Sequence, residues 1–117
     1  METRVISLRL PRTAMTALEQ SVAQAKVSVA QGVDWLVRNS LGNFWLLRGL
    51  EDCPEYCNAK LDVRVPVTTL EPLRAVAAQL GISISVYVRR LLYHFFITKR
   101  VKYESQNGRY TLAYRHD

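Results

Sequence analysis

Val5-Ile6-Ser7-Leu8-Arg9-Leu10-Pro11 returns 55 positions later as Lys60-Leu61-Asp62-Val63-Arg64-Val65-Pro66. In both stretches apolar and polar side chains alternate, which is the period of a half-buried β-strand. Ile6, Leu8 and Leu10 share one side against Val5, Ser7 and Arg9. In the later stretch Leu61, Val63 and Val65 oppose Lys60, Asp62 and Arg64. Proline closes each run, because it has no N–H to give to a ladder. The match continues without a gap, laying residues 5–41 over residues 60–96. Such a repeat means that one unit cannot bury its apolar face alone.

Each strand is followed by two helical patterns. Met15, Leu18, Val22 and Ala25, matched by Leu70, Leu73, Ala77 and Leu80, recur at spacings of three and four and give one buried stripe. Thr13 and Thr68 are read as N-caps, with Glu71 completing a capping box and Pro72 in the first turn. Gly81 suits a left-handed stop for the second copy, where the first has Lys26. Ser28 and Ser83 cap the next helices, whose stripes are Val29, Val33, Leu36, Val37, Leu41 and Ile84, Val88, Leu91, Leu92, Phe96. Strand 4–10 pairs with 59–65, since a lone edge strand with one apolar side is unstable.

The strand–helix–helix unit, the Arg-hydrophobic-Pro strand ends and the serine-opened second helices resemble the ribbon-helix-helix family of DNA-binding proteins, the MetJ/Arc class. Two copies in one chain resemble its tandem form, the TraY-like proteins of conjugative plasmids. The expected fold is mainly α: a pseudo-dimer with a two-stranded antiparallel ribbon, four helices and a hairpin-like tail. The boundaries are 1–50 for the first repeat, 51–58 for the linker, 59–100 for the second repeat and 101–117 for the tail, where Asn107-Gly108 sits between alternating runs.

The resemblance implies a sequence-specific duplex-DNA-binding protein, a transcriptional repressor or a plasmid-transfer accessory factor. Val5, Ser7, Arg9, Lys60, Asp62 and Arg64 then meet base edges in the major groove. Asp62 is expected to orient Arg64 by an ion pair. The family's phosphate clamp at the start of the second helix falls on Ser28 and Ser83, with Lys26 beside the first. Arg89 and Arg90 are read as a solvated helix face. An antitoxin-type autoregulator or a protein-interaction module with a repurposed ribbon are the alternatives.

Charge agrees with a polyanionic partner. The formal net charge is +6. Residues 1–55 hold six basic and six acidic side chains, whereas residues 56–117 hold ten and four. The second copy therefore supplies the electrostatic grip, and the unlike outer faces point to an asymmetric site. Trp35, Phe44 and Trp45 lie off the core stripe and offer a surface for self-association of pseudo-dimers.

Catalysis and cofactors are not expected. There is no nucleophile–base set, no phosphate-cradling glycine loop and no carboxylate cluster, and His94 sits among core positions. Cys53 and Cys57 lack two further ligands at zinc spacing, so no metal is expected. No apolar run reaches the ~18–20 residues of a membrane span, and the chain opens without a signal-peptide pattern, so a cytoplasmic protein is expected.

Overall fold

β1 (Thr3–Leu10) and β2 (Ala59–Pro66) pair antiparallel, and each leads directly into two helices. α1 (Arg12–Ala25) and α2 (Val29–Ser40) follow β1. α3 (Val67–Leu80) and α4 (Ile84–Tyr93) follow β2, and α4 runs on through one π-helical turn over His94–Thr98. A second strand pair, β3 (Val101–Gln106) with β4 (Arg109–Tyr114), closes the chain and lies against α1. This computed structural model describes residues 2–41 and 50–98, and the backbone of 101–106 and 109–114. Phe44 and Trp45 lie outside the described residues.

The β1–β2 register pairs Thr3 with Pro66 and Leu10 with Ala59. Ser7 therefore stands directly opposite Asp62, its own counterpart at the 55-residue offset. One side of this sheet is the floor of the core: Ile6, Leu8, Leu10, Leu61, Val63 and Val65 are all buried. The helices cover that floor with Leu18, Val22, Val33, Leu36, Val37, Leu73, Val88, Leu91 and Leu92. Each large side chain removed from water in this way contributes about 1.5–3 kcal/mol. Tyr87, which stands at the offset position of Gly32, is fully buried as well, with its hydroxyl 3.5 Å from that of Ser40. The radius of gyration, 13.4 Å, is that of one domain of this length.

The helix starts differ from the sequence expectation. Pro11 and Pro66, not Thr13 and Thr68, are the N-cap residues of α1 and α3, and neither helix has a side-chain cap. The extended ψ of each proline turns the chain straight from strand into helix, and the Pro11 carbonyl already accepts from the Met15 N–H. Thr13 is thereby freed to donate to Glu55. Pro72 lies in the second turn of α3, so Thr68 loses its usual intrahelical donor.

The serine caps are present. Ser28 forms a reciprocal capping box with Gln31, at 3.1 and 2.9 Å. Ser83 accepts from the Val86 N–H, but valine has nothing to return to the Ser83 amide. α1 and α3 both stop in the left-handed region, at Lys26 (φ 59°) and Gly81 (φ 70°). Lysine is held there despite its Cβ, the one positive φ of a non-glycine residue among the described residues.

Linker residues are clamped by side chains from both halves. Arg89 grips Asp52 with two parallel bonds, Nε–Oδ1 at 3.1 Å and a terminal nitrogen–Oδ2 at 3.0 Å. Arg90 donates to the Leu50 carbonyl at 3.3 Å. Glu55 accepts from Thr13 and, at 2.7 Å, from the Tyr93 hydroxyl. Arg89 and Arg90 are thus not a solvated face, because a partner lies within reach of each guanidinium. Trp35 is also less free than expected, being half-buried against the core. Cys53 and Cys57 are free thiols.

Candidate nucleic-acid interface

The side of the β1–β2 sheet away from the core is where the sequence-derived site residues lie. Val5, Ser7, Arg9, Lys60, Asp62 and Arg64 are all exposed and sit on one face, because each stands two positions from the next along its strand. The register makes three cross-strand pairs of them: Val5 with Arg64, Ser7 with Asp62, and Arg9 with Lys60. Eight-residue strands are about 26 Å long and lie about 4.8 Å apart. That slab is narrower than the roughly 12 Å major groove of B-DNA.

Its electrostatics are unusual for a sheet surface. Arg9 and Lys60 put like charges directly opposite each other, an arrangement that disfavours pairing. Asp62 tempers this through Lys60, at 3.9 Å, and not through Arg64 as expected. Both groups are more than half exposed, so that pair contributes little stability. Arg9 and Arg64 make no ion pair among the described residues and hold their guanidinium groups toward solvent. Val5, 51% exposed, is an apolar side chain at one end of this polar face.

α4 is fastened to the centre of β1. The Ser85 hydroxyl donates to the Ser7 carbonyl at 2.7 Å, which carries the start of α4 to the edge of the sheet. Beside it lies an open groove of about 350 Å³, flanked by Arg4, Arg74 and Ser85. The sequence reading missed these three. Arg74 is one exposed residue among several on α3, and only the packing of α3 beside β1 brings it near Arg4. The offset counterparts of Arg74 and Ser85 are Glu19 and Ala30, so the first copy brings an acid and a methyl where the second brings a cation and a hydroxyl.

Ser28, Ser83 and Lys26 are exposed. The Ser28 amide is spent on Gln31, while the Ser83 amide has no such partner; of the two helix starts, the second is the better anion acceptor. Among the described residues no group of three or more His, Cys, Asp or Glu side chains could hold a metal ion. Nor is any single helix there long and apolar enough to cross a membrane. No protein-family model, curated protein or solved structure matches this chain.

Proposed function

We propose that this chain is a tandem ribbon-helix-helix protein, a pseudo-dimer that inserts the β1–β2 ribbon into the major groove of duplex DNA and reads sequence there. The observation that carries the reading is the opposed, exposed Arg9–Lys60 pair. A fold gains nothing from two cations facing each other on its surface, and places that break a local rule of stability are where function is expected. A phosphate-lined groove turns that cost into attraction, and guanine offers two acceptors, O6 and N7, to each arginine.

Arg9 and Arg64 are the base-reading arginines, Lys60 and Ser7 permissive donors, and Val5 a partner for a thymine methyl. Arg4, Arg74, Ser83, Ser28 and Lys26 face the flanking backbone, and of the two helix starts that of the second copy is the better anion acceptor. No cofactor takes part, and the chain performs no catalysis. Repression of a promoter and assembly of a complex at a transfer origin both begin with this binding act, in the cytoplasm.

Titration of labelled duplex DNA with the protein at several salt concentrations tests the reading. Affinity falls steeply with salt, as counterions are released from neutralised phosphates. In Arg9→Ala/Arg64→Ala it drops by one to four orders of magnitude, from the ~1–3 kcal/mol of each bidentate contact. Salt-independent binding, or a double variant equal to wild type, removes DNA as the ligand.

A further inference from the structure

The two ends of the exposed ribbon face are chemically unlike, and this rests on the DNA reading just given. In a symmetric dimer of the first strand, the observed register would set Val5 opposite Arg9 at both ends. This chain places Val5 opposite Arg64 at one end and Lys60 opposite Arg9 at the other. Arginine is common to both ends, so the difference lies in its neighbour: an apolar isopropyl group, 51% exposed, or a primary amine. The centre is also split, with Ser7 on one strand and Asp62 on the other.

We infer that the duplex bound by this face is non-palindromic, and that the protein sits on it in one orientation. The Arg9–Lys60 end takes two successive guanines, whose O6 and N7 acceptors suit a guanidinium beside an amine. The Val5–Arg64 end takes a guanine next to a thymine, whose C5-methyl is the base-edge group an aliphatic side chain can bury. Asp62 accepts from an exocyclic amine at the centre, where a serine hydroxyl satisfies either polarity.

The support side agrees with that polarity. The groove flanked by Arg4, Arg74 and Ser85 adjoins the Val5 end of β1. Arg74 of the second copy, with Arg4 of the first (itself paired with Glu2 at 2.9 Å), thus brings positive charge to the end whose base-reading face carries less of it. At the other end the corresponding residues of the first copy include Glu19, and the reading face itself carries both cations. Each end of the site is held with positive charge, one mainly through the bases and one mainly through the backbone.

Selection from a duplex library with a randomised core of about two helical turns, using the full chain, tests this. The expected motif has guanine at both ends and loses its symmetry in the flanking base, guanine at one end and thymine at the other. Val5→Lys makes the two strands alike at this position and, because it sets a second cation opposite Arg64, lowers the melting temperature by no more than a few degrees. Its selected motif carries two guanines at each end, and its affinity for the wild-type site falls about tenfold. A palindromic wild-type motif, or a Val5→Lys motif identical to wild type, overturns the inference while DNA binding stands. An absence of any salt-sensitive binding to the library overturns both.

Discussion

Arg9 and Lys60 face each other on one rung of the strand pair, two exposed cations offset only by the Asp62 carboxylate 3.9 Å from Lys60. Removing one charge relieves the repulsion. Arg9→Ala raises the unfolding free energy by about 0.2–1 kcal/mol, read from the urea midpoint, while duplex affinity falls. A variant that loses stability and affinity together would mean that the pair supports the fold.

Lys26 holds a left-handed backbone that a Cβ resists. Lys26→Gly stabilises the protein by about 0.5–1 kcal/mol, because relief of αL strain outweighs the added chain entropy of glycine. Gly81→Ala shows the converse: nothing lies within 4 Å of the added methyl, so its loss of about 1 kcal/mol is conformational. Denaturant midpoints of the two variants, moving in opposite directions, check this.

The two halves are tied by a partly buried contact between α2 and α3. Thr69, almost fully buried, donates to Asp34 at 2.8 Å, and Asp34 also pairs with Arg38 at 3.0 Å. Thr69→Val keeps the shape but strands a carboxylate oxygen and costs about 1.5–3 kcal/mol. Thr69→Ser, which keeps the hydroxyl, costs less, and comparison of the two unfolding curves separates hydrogen bond from packing.

Tyr93 titrates late. Its hydrogen bond to Glu55, with burial and the nearby carboxylate adding to it, pushes the phenol up to about 12. The folded value lies above the unfolded value of ~10, so the associated stability is complete below pH ~10 and disappears as pH rises through 12. The bond itself lies at the surface, where solvent screens it, so the effect is small. Phenolate absorbance resolves it: Glu55→Gln returns one tyrosine to an ordinary titration, and Tyr93→Phe deletes that step.

Asp52 behaves in the opposite sense. Burial raises its carboxyl, but the Cys53 N–H and Arg89 outweigh burial and leave it below the ordinary range. Its contribution is present above pH ~4 and is lost as pH falls through the lowered value. Arg89→Ala therefore flattens part of the acid limb of the stability profile and loosens the linker, seen as faster proteolysis around residues 51–58.

What was legible in the sequence was whatever has a period. Ile6, Leu8, Leu10 and their partners announce a floor by alternation alone, and Leu18, Val33, Leu73 and Val88 a helical cover by spacing. Ser28 and Ser83 announce caps because serine acts locally. Thr13 and Thr68 misled because the strand-closing proline already occupies the cap, a fact of backbone geometry that no side chain encodes. Asp52–Arg89 and Glu55–Tyr93 join residues 37 and 38 positions apart and have no local signature. Arg4 and Arg74 were invisible as a pair for the same reason, since only tertiary packing makes them neighbours.

The proposed binding mode places the β1–β2 ribbon in the major groove. Guanine N7 is exposed only there, and Arg9 and Arg64 are its proposed partners. Methylation interference on a selected duplex tests this most directly. Methylation of N7 at the end guanines blocks binding of the wild-type chain, and Arg9→Ala abolishes the interference at one end while leaving the other. Wild-type binding that tolerates N7 methylation throughout the site would contradict this mode of binding.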